Sequence, residues 1–251
     1  MSSFVLLVIS FFVIALVYSS VGFGGGSSYL ALLALPVLAL PQELIRPTAL
    51  FCNVIVVTGG AIIFYKEKKL IWKDIYPFLL LSVPLAFLGG RMKLSDHTFF
   101  VLLSSTLIIA SAFLWFQPKK EEKLETIKDA GFMLKLSVGG FIGFLSGLVS
   151  IGGGIFLSPL SHIFRWQEAR MISATASVFI LVNSLGGLWG QFSNGIPKLE
   201  WSFFLPLLAA VFLGGQIGSR LGAKVFIPLY IKRITAVVIF VAGLIILKEH
   251  V

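Results

Sequence analysis

Two runs of three glycines stand inside long apolar stretches of this chain. The first is Gly24-Gly25-Gly26, followed by Ser27-Ser28, and the second is Gly152-Gly153-Gly154. Glycine costs the interior of a helix about 1 kcal/mol per residue relative to alanine, so each run predicts a break in a helix. A helix that restarts after a break offers unpaired N–H groups and about half a positive charge, and these can bind an anion.

Composition indicates that these breaks lie in a membrane. Hydrophobic residues make up 57% of the chain and charged residues 12%, whereas a soluble domain carries about 25% charged residues. The apolar runs are long, which predicts an all-α, polytopic helical membrane protein rather than a β-barrel. The net charge of +9 does not indicate a nucleic-acid partner, because the Lys and Arg residues lie in short loops, where they orient membrane helices.

The order of segments predicts two similar halves. In the first half, segment 4–20 and the short segment 27–40 flank the glycine run, and longer segments follow at 46–65, 75–92 and 98–116. In the second half, segments 131–149 and 155–164 flank the glycine run, and longer segments follow at 171–192, 201–221 and 228–247. We therefore expect a first transmembrane repeat at 1–116, a charged cytoplasmic linker at 117–131 and a second repeat at 132–251.

Matched residues at a nearly constant spacing support an internal duplication. Gly24 and Gly152 are 128 positions apart, Thr48 and Thr175 are 127 apart, and Trp72 and Trp201 are 129 apart. Pairs of Pro and Arg recur at the same spacing, at Pro77 with Pro206 and at Arg91 with Arg220.

Charge predicts that the two halves are inverted. The loop 66–73 holds four lysines, whereas its counterpart 193–200 holds only Lys198. If loop 66–73 is cytoplasmic and each half crosses the membrane an odd number of times, only five of the 20 Lys and Arg residues remain outside, namely Arg46, Arg91, Lys93, Lys198 and Lys248. This segregation favours inverted-topology repeats with glycine-broken helices or re-entrant hairpins and with both termini outside.

Inverted halves would bring the starts of the two short helices together near the middle of the membrane, with an anion between them. Polar residues in the next segments could line the same cavity. The predicted substrate-binding residues are Gly24, Gly25, Gly26, Ser27, Ser28, Thr48, Asn53, Gly152, Gly153, Gly154 and Thr175. The alternatives are that the glycines only permit close helix packing and that Thr48, Asn53 and Thr175 only form hydrogen bonds between helices.

Several chemical signatures are absent from the sequence. No Asp or Glu lies well inside a predicted span, and there is no HExxH motif, Cys/His metal cluster or phosphate-binding loop. We therefore predict no cofactor, no metal site and no enzymatic activity. Two alternatives of other classes remain, a passive anion channel and a membrane-embedded enzyme that pairs Ser27 or Ser28 with His162.

The glycine motifs resemble those of a known family. Residues 22–26 read Gly-Phe-Gly-Gly-Gly, residues 150–154 read Ser-Ile-Gly-Gly-Gly, and residues 214–221 read Gly-Gly-Gln-Ile-Gly-Ser-Arg-Leu. Together they resemble the sulfite exporter TauE/SafE family, also called the toluene sulfonate uptake permease family. The resemblance implies a secondary transporter for sulfite, sulfonates or related small organic anions in the cytoplasmic membrane of a prokaryote. The expected partners are a small, sulfur-containing anion and the lipid bilayer, and a homodimer is left open.

Overall fold

The computed structural model describes residues 2–20, 22–116, 130–195, 200–222 and 229–250. Within these ranges the chain forms α-helices, one short 3-10 helix at Pro36–Leu38 and no strand. The helices are α1 (Ser2–Ser19), α2 (Gly26–Leu33), α3 (Gln42–Lys66), α4 (Trp72–Arg91), α5 (Asp96–Trp115), α6 (Phe132–Val149), α7 (Gly154–Ile163), α8 (Ala169–Phe192), α9 (Trp201–Gly222) and α10 (Leu229–His250). The all-α prediction is confirmed. Of the predicted linker 117–131, only the last two residues are described.

Membrane-length helices form most of the fold. Among the described residues, six helices are long and apolar enough to cross a membrane, namely α3, α4, α5, α6, α8 and α9. Large apolar side chains remain exposed on their surfaces, including Trp189 at 72% and Phe141 at 69% exposure. Such surfaces suit contact with lipid rather than water, so the chain is a multi-pass integral membrane protein.

The glycine runs separate a long helix from a short one in each half, as the sequence predicts. In the first half, α2 turns back along α1, since Tyr29 of α2 stacks on Phe11 of α1 at 4.7 Å between ring centroids. In the second half, Phe132 at the start of α6 contacts Tyr76, and Trp166 after α7 contacts Phe78. The α6–α7 hairpin therefore begins and ends on the same side, next to the start of α4.

Two pairs of helices from different halves run parallel to each other. In α1 and α9, Phe4 contacts Phe203 near one end, and Gly214 lies against Ala15 further along. In α4 and α6, Gly139 lies against Phe78 near one end, and Gly147 lies against Ala86 further along. Each pair thus joins the first half to the second along its length.

Two other pairs run antiparallel. In α3 and α8, Phe51 contacts Phe192, while Gly60 lies against Ser177. In α5 and α10, the ring of Phe100 stacks on that of His250, which ends α10. In these two pairs, helices at the same predicted place in their halves point in opposite directions, as inverted repeats would require, and the inverted repeat stays a prediction. The duplication and its boundaries stay a prediction.

Glycines on α6 allow its close approach to α4. A Cβ added at Gly139, Gly143 or Gly147 would collide with a backbone carbonyl oxygen of α4, that of Phe78, Ser82 or Ala86 respectively. Small residues at a four-residue spacing let two helix backbones touch, which is the main source of attraction between helices in lipid. An ion pair reinforces the contact where both helices begin, with Lys135 Nζ 3.2 Å from Asp74 Oδ1.

We predict that the loop between α3 and α4 is cytoplasmic and that the loop between α4 and α5 is outside. In a Cys52→Ser background, Glu67→Cys should resist a membrane-impermeant thiol reagent in intact cells, whereas Lys93→Cys should react. Both labelled positions suit the test because Glu67 and Lys93 are exposed, and the replaced Cys52 is fully buried. The reverse labelling pattern would contradict the predicted orientation.

We also predict that Gly143→Ala lowers the thermal stability of the purified protein, while Gly60→Ala does not. Both positions lie inside long helices, so both gain about 1 kcal/mol of helix propensity from alanine. The new methyl group meets the backbone of α4 at position 143, but at position 60 its nearest neighbour is Ser177 Oγ at 3.6 Å. Overpacking costs about 1–3 kcal/mol. Equal unfolding temperatures for the two variants would remove the packing role of Gly143.

Candidate functional site

The two glycine breaks line one pocket. Residues from both halves surround it. The lining residues are Tyr18, Phe23, Gly24, Gly25, Gly26, Ser27, Asn53, Leu114, Ile151, Gly154, Ile155 and Ile180. Of the predicted site residues, the structure brings together Gly24, Gly25, Gly26, Ser27, Asn53 and Gly154.

Backbone N–H groups at the start of two helices belong to this lining. In α2, the first helical bonds run from the N–H groups of Ser28 and Tyr29 to the carbonyl of Gly25, at 2.9 and 3.0 Å. The N–H groups of Gly26 and Ser27 precede these bonds, so the helix does not use them. Both residues line the pocket.

The start of α7 repeats this arrangement from the other half. The N–H groups of Phe156 and Leu157 donate to the carbonyl of Gly153, at 3.1 and 3.2 Å. The N–H groups of Gly154 and Ile155 precede these bonds, and both residues line the pocket. Two residues at each helix N-terminus, whose N–H groups the helices do not use, therefore line one pocket.

Glycine is needed immediately before each of these helices. Gly25 and Gly153 are the N-cap residues of α2 and α7, and both adopt φ 79°, in the left-handed region. No side chain caps either helix through a hydrogen bond. Serine and threonine caps normally occupy the first N–H groups, so a glycine cap leaves those groups available to a ligand.

Asn53 connects the two breaks. Its side chain is fully buried, and its Nδ2 donates a 3.0 Å hydrogen bond to the carbonyl of Ile151. Gly24 and Gly26 lie directly against the same amide. Gly24 and Gly26 have no Cβ, and a Cβ at either position would occupy the space of the amide.

The halves differ at this point of the pocket. Ile180 lies 127 positions after Asn53, the spacing that relates Thr48 to Thr175, and it too lines the pocket. Gly154 lies against Ile180 as Gly26 lies against Asn53. One half thus supplies an amide and the other an apolar side chain.

The remaining predicted site residues lie outside the pocket lining. Ser28 Oγ is hydrogen-bonded to the hydroxyl of Tyr18 at 2.7 Å. A Cβ added at Gly152 would lie 2.5 Å from Asn53 Nδ2. Thr48 donates to the carbonyl of Leu44 in its own helix, and Thr175 donates a 3.0 Å bond to Gln167 Oε1. Both threonines are buried and hydrogen-bonded to protein groups.

Sequence reasoning missed the apolar part of the pocket and a buried arginine nearby. Phe23, Leu114, Ile151, Ile155 and Ile180 carry no chemical signal in a chain this apolar, so only their positions in the fold assign them to the pocket. Among the described residues that line it, none carries a charged side chain. Attraction for an anion therefore depends on the backbone dipoles.

Arg46 is that buried arginine, with 7% of its surface exposed. Its guanidinium donates to the carbonyls of Gly90, Met92 and Gly147 at 3.3–3.4 Å. These carbonyls lie at the C-terminal ends of α4 and α6, where the helix dipole is negative. Arg46 Nε also donates to Ser150 Oγ at 3.4 Å, so this arginine ties the second break to the ends of two helices.

The chain matches the Sulfite exporter TauE/SafE family over residues 6–246. The chain belongs to the TauE/SafE family. It is 35% identical over 243 residues to "Probable membrane transporter protein y4hK" of Sinorhizobium fredii, covering 95% of this chain and 96% of that protein. No solved structure matches the chain.

More distant TauE/SafE relatives carry similar names. "Probable membrane transporter protein YunE" of Bacillus subtilis is 26% identical over 88% of this chain and 89% of its own. "Probable membrane transporter protein MJ0441" of Methanocaldococcus jannaschii is 24% identical over 96% of this chain and 94% of its own. The chain is therefore a member of a family of membrane transporters, whose substrates are small molecules.

We predict that Gly25→Ala and Gly153→Ala each destabilise the fold. An L-residue in the left-handed region costs about 1–2 kcal/mol, and the added Cβ would lie 2.9 Å from Ile14 and 2.8 Å from Phe179 respectively. Thermal unfolding in detergent should show a lower midpoint for each variant than for Gly60→Ala. Wild-type midpoints for both would indicate that the breaks do not need glycine at these caps.

Proposed function

We propose that this protein is a secondary transporter for sulfite, sulfonates or related small organic anions in the cytoplasmic membrane of a prokaryote. The observation that carries the proposal is the meeting of two helix N-termini, α2 and α7, at one pocket. The family to which the chain belongs is described as a sulfite exporter, which supports a sulfur oxyanion as the substrate.

The electrostatics of this pocket suit a monovalent anion. Each helix N-terminus is equivalent to about half a positive charge, so two N-termini supply roughly one charge in a site without charged side chains. The four N–H groups of Gly26, Ser27, Gly154 and Ile155 can donate to oxygens that point in different directions. An oxyanion such as sulfite or a sulfonate presents three such oxygens on one sulfur atom.

The proposed contact residues are Gly24, Gly25, Gly26, Ser27, Asn53 and Gly154, which line the pocket. Three further predicted residues contact this set without lining the pocket. Gly152 lies against Asn53, Gly153 is the N-cap of α7, and Ser28 is hydrogen-bonded to Tyr18. Direct contact of Thr48 and Thr175 with substrate stays a prediction, as does a homodimer.

Alternating access fits this location of the pocket. The α1–α2 and α6–α7 hairpins belong to different halves, and antiparallel packing of α3 against α8 relates those halves. A rocking motion of one half against the other would open the pocket to each side in turn, as in other transporters built from inverted repeats. Saturable uptake into proteoliposomes, inhibited by competing anions, would support a carrier, whereas single-channel currents would favour a passive channel.

We predict that Ser27→Pro weakens binding of sulfite and methanesulfonate by about 10- to 100-fold. Proline removes the N–H of Ser27, which α2 does not use, and the first turn of a helix tolerates proline. Loss of one hydrogen bond to a charged group costs about 1.5–3 kcal/mol. Isothermal titration of purified, monodisperse protein measures the change.

Two controls separate donor loss from other effects. Ser27→Ala removes the hydroxyl but keeps the N–H, and it should bind more tightly than Ser27→Pro. His97→Pro places proline at the same helical position of α5, on an exposed residue outside the pocket, and should bind as wild type does. Wild-type affinity in folded Ser27→Pro would count against binding by these helix N-termini.

A further inference from the structure

We propose that Asn53 accepts a hydrogen bond from the transported anion, so that the pocket selects small anions that carry their own donor, such as a hydroxyl group. This inference rests on the proposed function, because it assumes that the pocket holds the substrate. It adds a second recognition element to the backbone N–H groups, and this element has the opposite hydrogen-bonding character.

The orientation of the Asn53 amide follows from its neighbour. The 3.0 Å contact with the carbonyl oxygen of Ile151 requires the amide nitrogen on that side, because only the NH₂ group can donate. The reversed amide would bring two acceptor oxygens together. The carbonyl oxygen Oδ1 is therefore the atom left to face other groups.

Asn53 Oδ1 lacks a hydrogen-bond partner among the described residues, although the side chain is fully buried. A buried acceptor without a partner costs about 1–3 kcal/mol, so such an atom in a native fold calls for a ligand or an ordered water. Gly24 and Gly26 flank Oδ1, and both line the pocket together with Asn53 itself. An anion held in the pocket would therefore lie next to the residue that carries this unpaired oxygen.

An anion without a donor would bind in this pocket more weakly than an anion of similar shape that carries one. Its oxygens could accept from the four backbone N–H groups, but any oxygen close to Asn53 Oδ1 would be repelled. An anion with a hydroxyl group a few bonds from its charged end could accept at one end and donate to Oδ1 at the other.

The apolar residues of the pocket favour one orientation for such a ligand. Ile180 occupies the position that corresponds to Asn53 in the other half, and Phe23, Leu114 and Ile155 add further apolar surface. The pocket therefore has an amide acceptor in one half and an apolar side chain at the corresponding place in the other half, rather than two equivalent amides. The carbon atoms of a short organic sulfonate would contact the apolar residues while its hydroxyl group meets Asn53.

Two sulfonates of similar shape and equal charge test the proposal. 2-Hydroxyethanesulfonate and 1-propanesulfonate differ by a hydroxyl in place of a methyl group, and both remain monoanions at neutral pH. Wild-type protein should bind the hydroxylated compound at least about tenfold more tightly, as expected for one buried hydrogen bond. Asn53→Leu should reduce this preference to about onefold.

Asn183→Leu is the matched control. Asn183 is also fully buried, its Nδ2 also donates to a backbone carbonyl, that of Phe179 at 2.8 Å, and its Oδ1 also lacks a partner among the described residues. It does not line the pocket. The variant should therefore keep the wild-type preference for the hydroxylated sulfonate, even if its stability falls.

The outcomes separate this inference from the proposed function. Equal affinity of wild type for the two sulfonates, or an unchanged preference in Asn53→Leu, would overturn the role of Asn53 while leaving anion transport intact. Failure of both sulfonates and of sulfite to bind would instead contradict the proposed function. If Asn53→Leu does not fold, Asn53→Ala and the wild-type affinity ratio decide the question.

Discussion

The fold depends on one constraint, that backbone N–H and C=O groups inside a bilayer need partners within the protein. Full-length helices meet it along α3, α4, α5, α6, α8 and α9. At the two breaks the helical hydrogen bonds stop, and the first N–H groups of α2 and α7 have no acceptor within their own helix. The surrounding helices bury both breaks and bring them to one pocket, where an anion can complete the hydrogen bonds that the helices leave open.

The glycines meet a packing requirement at the same positions where binding is proposed, so the two interpretations are not exclusive. Gly25 and Gly153 adopt a left-handed conformation and lie against apolar side chains, which is a packing requirement. Each of these glycines is also the N-cap of the helix that follows, and no side chain caps that helix. The first N–H groups of α2 and α7 therefore remain available to a ligand. Gly24 and Gly26 instead make room for Asn53, and so they help to form the polar part of the pocket.

The two halves have the same order of helices, but they differ in the polar side chains next to the two breaks. Asn53 lies in one half and Ile180 at the corresponding place in the other. Gly22 and Ser150 both have positive φ values, yet only Ser150 offers a hydroxyl, which accepts from Arg46 and from Gln191 at 2.9 Å. The two breaks are thus followed by similar helix starts, and the residues that differ around them make the pocket asymmetric. Arg46 can remain buried because the carbonyls at two helix ends provide negative partial charge around it.

The sequence by itself determined the class of protein and the two breaks, and it predicts the backbone donors at those breaks as an anion site. Apolar content and glycine runs are local signals that arise from the bilayer and from backbone freedom, so they can be read without a fold.

The tertiary structure decided which polar residues face the pocket. Asn53, Thr48 and Thr175 look alike in sequence, since each is a polar residue in an apolar run. Helix rotation and close packing direct Asn53 toward the pocket, whereas Thr48 and Thr175 bond to Leu44 and Gln167. The apolar wall, with Ile180, could not be predicted, because an isoleucine that touches substrate and one that touches lipid have the same sequence signal.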